Sequence, residues 1–459
     1  MPLDWLDAEP SNETVALSIT KLPAAVDCGD ASFGGTVITN PGGPGSSGVR
    51  HILQNARYMQ TMMDGEKHFE IMSFDPRGVA HSKPAADCYA SEPARTAAAW
   101  QSRSFTNFDA SAENLKYQKA FAVARGLQCA KPGPYGYAIQ DYMATAWVAR
   151  GMVRIIDEIE SLHQKTLENA FMSMFPGHVK RMVLDGVIVP EDWVAAVAIS
   201  RQPILMSFDQ SSDHSWHSIR GRVNTLLGEL EASPRPALIQ GDTGTIITAG
   251  MVRSSIFNAL YQPIDKFEQL AESLASALQG NYTLLVQNTG LDPPGDGCAP
   301  RTAGEYNWLG LSSSAVVCGD AQDVTHHDEH YWQGYFEKLG GRSPEFGRHV
   351  ARIPFTCFGW KSRPKYRFTG PFSSPEADPS DKQERHSAPA LVSKSHPGSR
   401  VLSQKSFGHC ALYSAPRKYT NKVVPTYMAT GVLPDEGTEC APDCVPWKQC
   451  DDERTSLPR

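Results

Sequence analysis

Apolar positions cluster in short runs near the start of the chain. Residues 14–20 (Thr-Val-Ala-Leu-Ser-Ile-Thr), 35–39 (Gly-Thr-Val-Ile-Thr) and 69–74 carry the β-branched and aromatic content of strands, and the third runs into the turn Asp75-Pro76-Arg77-Gly78. Between Tyr142 and Ser161 the period lengthens. Val148, Met152, Ile155, Ile156 and Ile159 recur at helical spacing with charges between them, which predicts an amphipathic helix packed on one face. Residues 180–189 (Lys-Arg-Met-Val-Leu-Asp-Gly-Val-Ile-Val) then predict a buried strand. Strand, turn, helix and strand in that order predict an α/β core.

Residues 191 to about 350 lose this alternation and gain helical segments such as Ile264 to Leu278, so they predict a mostly helical insertion. A Pro-, Ser- and Lys-rich stretch with little periodicity runs from Lys361 to His396. Ser399 to Ser403 then predicts a short final strand entering Phe407-Gly408-His409-Cys410.

Composition narrows the class. With 459 residues, 41% of them hydrophobic and 20% charged, the chain is globular rather than disordered or fibrous. Forty-three Lys and Arg against 50 Asp and Glu leave a formal net charge of -7 without a basic block, which argues against nucleic acid as a partner. No stretch reaches the roughly 18 uninterrupted apolar residues of a membrane span. The opening Met-Pro-Leu-Asp-Trp lacks the basic and apolar regions of a signal peptide. The cysteines point the other way: ten are present, mostly beside Gly, Pro or Asp in loop-like sequence, as in a secreted disulfide set. Two glycosylation tripeptides, Asn12-Glu-Thr14 and Asn281-Tyr-Thr283, agree with export. Cys440, Cys444 and Cys450 could form a metal knuckle, but their spacing is irregular and no His follows.

The sharpest local motif is Asn40-Pro41-Gly42-Gly43-Pro44-Gly45-Ser46-Ser47-Gly48, placed directly after a strand. Such glycines turn the backbone tightly and present N–H groups outward, which suits a phosphate, a developing oxyanion or simply a tight turn. Gly43 and Gly48 have P-loop spacing, yet Val49 and Arg50 stand where Lys and Ser or Thr belong. His326-His327-Asp328-Glu329-His330 matches His-x-x-Glu-His, which on a helix would set His326 and His330 near one zinc with Glu329 as base; a solvated helix start is the competing reading. Tyr331, Trp332, Tyr335 and Phe336 predict packing within the insertion's own core, with a substrate cleft as the alternative.

Taken together, NPGGPGSSG, Phe74-Asp75-Pro76-Arg77-Gly78-Val79, Arg181-Met182-Val183-Leu184-Asp185-Gly186-Val187 and Pro397-Gly398-Ser399-Arg400-Val401 before Gly408-His409-Cys410 resemble the tripeptidyl-aminopeptidase-like branch of the α/β-hydrolases. The resemblance keeps one order over nearly the whole chain. It implies an α/β-hydrolase fold, a mostly parallel sheet flanked by helices, with core parts at 1–190 and 355–459 and a helical cap at 191–354. It also implies a secreted serine exopeptidase that releases short peptides from a free N-terminus, or hydrolyses related amides and esters, without cofactor or metal. By the same resemblance His409 is the catalytic base, Asp378 or the nearby Asp381 is the triad acid, and Gly42 and Gly43 supply the oxyanion hole. Disulfides between Cys410 and Cys440 and between Cys318 and Cys357 follow from it as expectations.

The nucleophile departs from the family. No Ser in the chain has Gly two before and two after: Ser46 lacks the first Gly and Ser47 the second. The family would have a core strand and a Gly-x-Ser-x-Gly elbow between the helix ending near Gln164 and the segment from Thr166 to Pro176. Here these flanks are joined directly, a loss of about ten residues. A second apolar strand is missing before Asp378. The chain is therefore expected to lack triad-dependent hydrolysis, with Ser161 and Ser173 as the remaining hydroxyls to weigh. Displaced exon boundaries in its gene would explain both gaps, and a peptide-binding pseudoenzyme is the alternative.

Overall fold

A computed structural model describes residues 1–4, 13–103, 112–133, 136–160, 169–195, 214–239, 243–288, 306–373, 388–414, 420–440 and 446–447. It is a mixed α/β structure. The first part runs β1 (Ile19–Leu22), β2 (Phe33–Ile38), α1 (Gly48–Met63), β3 (His68–Phe74), α2 (Glu92–Arg103), α3 (Ala112–Cys129), α4 (Thr145–Glu160) and α5 (Asn169–Met174). The three strands lie in the order β1-β3-β2. β2 pairs with β3 in parallel, Val37 opposite Ile71, and β1 closes the other edge of β3 antiparallel, Ile19 opposite Phe74.

The period of two expected of strands sorts these side chains to two faces. Val37, Phe69 and Ile71 pack with Ile52, Ala56, Met59 and Met63 of α1, whereas Ile38, Met72 and Phe74 pack with Ala149, Met152, Ile155 and Ile156 of α4. Helix, sheet and helix thus form three layers. Of the early strand expected at 14–20 only Ile19 and Thr20 fall in β1; before them stand isolated bridges from Thr14 to Pro2 and from Ala16 to Lys83.

The strand expected at 180–189 does not form. That segment is irregular, although Val183 packs on the α1 side and Val179 and Met182 on the α4 side. A buried strand needs a ladder partner for its N–H and C=O groups, and among the described residues β2 has no neighbour on its free edge. The apolar pattern brings 180–189 half-buried against the core, but among the described residues no strand pairs with it.

The middle of the chain continues with α6 (Pro190–Val194), α7 (His214–Ala232), β4 (Arg235–Ile239), β5 (Thr243–Ile247), α8 (Ala249–Ala259), α9 (Pro263–Leu278), α10 (Thr283–Asn288), α11 (Leu309–Asp320), α12 (Glu329–Arg342) and α13 (Gly347–Phe355). It is mainly helical as expected, with one antiparallel hairpin, β4–β5, that the helical pattern concealed. Leu226, Leu230, Ile239, Ile247, Val252, Ala277 and Leu285 give α7–α10 and the hairpin a core of their own. The aromatic cluster behaves differently from expectation. Trp332, Tyr335 and Phe336 share one core with Val79, Leu115, Ile139 and Met143 from the first part and with Phe355 and Phe358, so they seal a seam rather than fill a separate insertion. Disulfides fasten both sides of it, Cys88–Cys129 and the expected Cys318–Cys357.

After residue 373 the described chain resumes at α14 (Ala388–Lys394), followed by β6 (Ser403–Gln404), α15 (Ala411–Ser414), α16 (Thr420–Thr430) and β7 (Glu439–Cys440). The strand expected at 399–403 shrinks to β6, which pairs in parallel with β7. Val424 and Met428 of α16 pack on the α1 side of the sheet, returning the C-terminal part to the first.

Candidate active site

The glycine-rich segment leaves the end of β2 and enters α1. Asn40 Oδ1 accepts the Gly42 N–H at 3.0 Å, so of the two expected oxyanion donors Gly42 is already bonded. Ser47 caps α1: its Oγ accepts the Arg50 N–H at 3.0 Å and donates to the buried Asp75 carboxylate at 2.7 Å. That hydroxyl is spent on structure. Asp75 also accepts from the N–H of Val49 and of His81, which ties the turn after β2 to the turn after β3.

Residues from the middle of the chain cover this turn. Tyr306 donates its hydroxyl to the Gly45 carbonyl at 2.6 Å, and Trp308 donates its indole N–H to the Gly78 carbonyl at 3.0 Å. α11 presses so closely that a Cβ on Gly45 would stand 2.8 Å from the Ser313 nitrogen, and Gly45 has φ +93° as well. Burial pushes the Tyr306 hydroxyl up to about 12, so it stays protonated and a donor.

His409 lies between β6 and α15. Its N–H donates to the Tyr261 carbonyl at 3.0 Å, and its ring meets the Tyr261 ring edge-on at 4.9 Å. Asp185 grips the following backbone through both oxygens, accepting the N–H of Ala411 at 2.6 Å and of Leu412 at 2.9 Å. Gly186 leaves room for the imidazole: a Cβ there would sit 3.0 Å from His409 Cε1 and 2.6 Å from Cys410 Sγ. Burial holds the imidazole below its ordinary value against a weaker opposing pull from Asp185. At neutral pH His409 is therefore a neutral base able to accept a proton.

Cys410 and Cys440 do not form the expected bridge. Cys440 is a buried thiol in β7 opposite Gln404, while Cys410 stands beside Gly186 with φ +68°. Pairing is a tertiary property that spacing alone does not fix. Burial, then Asp185, pushes the Cys410 thiol up to about 12, so it supplies no thiolate nucleophile.

Ser173 lies in the last turn of α5, not on a strand-to-helix elbow, and it faces a different imidazole. Its Oγ is 3.4 Å from His396 Nε2, and His396 Nδ1 is 3.0 Å from the Val392 carbonyl. The contact staples α5 to α14; the sequence held no sign of it. Ser161, Asp378, Asp381, Cys444 and Cys450 lie outside the described residues.

The zinc motif is not assembled. Asp328 caps α12 by accepting the Tyr331 N–H at 2.8 Å, so the helix starts at Glu329 and His326 falls in the turn before it. Glu329 is 3.2 Å from Lys119 Nζ. Among the described residues no three metal-binding side chains converge. A cleft of about 480 Å³ lies in the α7–α10 core, lined by Thr225, Glu229, Arg235, Leu278, Gly280 and Tyr282, none of which belongs to the His409 or Gly42 sites.

Among known proteins, the chain is 22% identical over 483 aligned positions to a tripeptidyl aminopeptidase of Streptomyces lividans, spanning 97% of this chain and 83% of that one. It is 27% identical to serine protease Hip1 of Mycobacterium tuberculosis over 79% of this chain and 70% of that protein. It is 30% identical to a carboxylesterase B of the same species, over 41% of this chain and 35% of the esterase. No family model matches.

Proposed function

Because the chain is a relative of the tripeptidyl-aminopeptidase-like α/β-hydrolases, we propose that it descends from a secreted serine exopeptidase and no longer hydrolyses its substrate by the triad mechanism. The ancestral reaction would join an acyl carbon to a Ser hydroxyl, with His409 taking the proton, Asp378 or Asp381 orienting the imidazole and the Gly43 N–H stabilising the oxyanion. Gly42 could join only by releasing Asn40. The substrate would be a peptide with a free N-terminus or a related amide or ester. The division into a core at 1–190 and 355–459 and a cap at 191–354 belongs to the same proposal.

One observation carries the loss of chemistry. Residues 161–168, between the described parts of α4 and α5, contain no Gly. A Gly-x-Ser-x-Gly elbow needs a Gly on each side of its Ser, and no Ser of the chain has both. The irregular course of 180–189, whose Met182 and Val183 pack in the clusters on the two faces of the sheet, fits the same gap. Without the elbow, a base and an oxyanion donor act on nothing, since triad members work as a unit.

The test is labelling of the full chain with a serine-directed fluorophosphonate. The expected result is no adduct. Labelling that disappears in His409→Ala would overturn the proposal. Sequencing the native transcript from the Glu158 to the Phe171 codons and from Phe372 to Asp378 tests displaced exon boundaries: extra codons restoring Gly-x-Ser-x-Gly would make the native protein an active serine hydrolase. An unchanged transcript, with a cooperative unfolding transition that peptides raise, would favour the peptide-binding pseudoenzyme.

A further inference from the structure

In the α7–α10 unit an exposed turn joins α9 to α10. α9 stops at Leu278, and Gly280 reverses the chain with φ +85°. Asn281 follows, exposed, and α10 starts at Thr283, also exposed. Asn281 Oδ1 accepts the Thr283 N–H at 3.1 Å. The Asn281 backbone is fastened to α9, its N–H donating to the Ser276 carbonyl at 3.0 Å and its carbonyl accepting the Ser276 hydroxyl at 2.9 Å. The turn is thus fastened through its backbone as well as through the Asn281 Oδ1, and the side chain is exposed. Gly280 and Tyr282, its neighbours on either side, line the cleft.

From this placement we propose that Asn281 is an N-glycosylation site. The inference rests on the extracellular reading, which the Cys88–Cys129 and Cys318–Cys357 disulfides support. In the step, the Asn281 amide nitrogen forms a bond to the anomeric carbon of a lipid-diphosphate-linked oligosaccharide. The bond from that carbon to the diphosphate breaks, the lipid diphosphate leaves with the electron pair, and the amide loses one proton. Asn-x-Thr is the acceptor pattern, and a glycan on it must be tolerated by the finished fold. Exposure at both Asn281 and Thr283 meets that requirement. The other tripeptide begins at Asn12, outside the described residues.

The protein from its native producer is cleaved to peptides after treatment with an amidase that releases N-glycans and converts the linked Asn to Asp, and its thiols are counted by alkylation. Disulfide-bonded protein with that conversion at Asn281 is the expected result. Disulfide-bonded protein with an unmodified Asn281 overturns the site and leaves the extracellular reading standing. Reduced Cys88, Cys129, Cys318 and Cys357 with an unmodified Asn281 overturn both. In a heterologous secretory host, on an Asn12→Gln background, the glycan should be lost in Asn281→Gln and Thr283→Ala and kept in Thr283→Ser. Equal glycosylation of all three would also overturn the assignment.

Discussion

Gly186→Ala is the sharpest perturbation of the His409 neighbourhood. Gly186 has φ +70°, and an L side chain in that region costs about 1–2 kcal/mol. The added methyl would also stand 2.6 Å from Cys410 Sγ and 3.0 Å from His409 Cε1. Neither neighbour retreats freely: Asp185 clamps the backbone of Ala411 and Leu412, Cys410 already has positive φ, and the His409 N–H is tied to Tyr261. Overpacking of this kind adds about 1–3 kcal/mol, for a total of about 2–5 kcal/mol. Two controls separate the contributions. Gly398 has φ +86° and open space, so Gly398→Ala should cost the backbone share alone, about 1–2 kcal/mol. Gly177 has open space and no positive φ, so Gly177→Ala should be neutral or stabilise by up to about 1 kcal/mol. Urea unfolding of the three variants, with the His409 imidazole followed by NMR, gives the comparison. A Gly186→Ala cost no larger than that of Gly398→Ala, with an unmoved His409 resonance, would refute the packing reasoning.

Other consequences can be measured independently. Burial, followed by Arg352, pulls His349 down from its ordinary value to about 3. Between pH 6.5 and 3 the unfolded chain therefore holds a proton that the folded chain does not, and stability falls on acidification by up to about 1.4 kcal/mol per pH unit. His349→Phe should flatten the stability profile in that window, and parallel profiles would dismiss the assignment. Cys88 and Cys129 are 41 residues apart, so loop-closure entropy assigns their bond about 4 kcal/mol, readable as the loss in unfolding free energy of the double Ser variant. Asp320 is buried and accepts from the N–H and hydroxyl of Thr145 and the indole of Trp193, so Asp320→Ala should destabilise by about 2–5 kcal/mol in denaturant titrations. A loss below 1 kcal/mol would mean that water replaces the carboxylate at about the same free energy.

Much of the first part was legible because its periods are clean. β2, β3 and α4 stand close to where alternation and helical spacing placed them. The β4–β5 hairpin is hard to see in the sequence, because Pro236 argues against a strand and the segments on either side carry helical spacing. Residues 180–189 form neither a strand nor a buried segment but pack half-buried, since pairing depends on a neighbour that a local pattern does not register. His409 stands out in the sequence through its motif, while its neighbours Asp185, Gly186 and Tyr261 do not. They come from segments between about 150 and 220 residues away in sequence, and only folding juxtaposes them. Cys88–Cys129 escaped notice for the same reason.

The free edge of β2 bears on how the protein behaves in solution. Among the described residues, β3 pairs one side of Phe33–Ile38 and no strand pairs the other, and Thr39 at its end keeps a buried hydroxyl without a hydrogen bond. α1 and α4 cover the faces of this strand, but faces and edges are different surfaces. An uncapped parallel ladder is a template for strand addition, and natural sheets guard such margins with charge, Pro or a covering loop. Val37 and Ile38 carry neither charge nor Pro, yet both are buried, so whatever covers them stands in for those guards. Colloidal stability would then depend on whatever lies along that margin, and light scattering against protein concentration would report it before any loss of secondary structure.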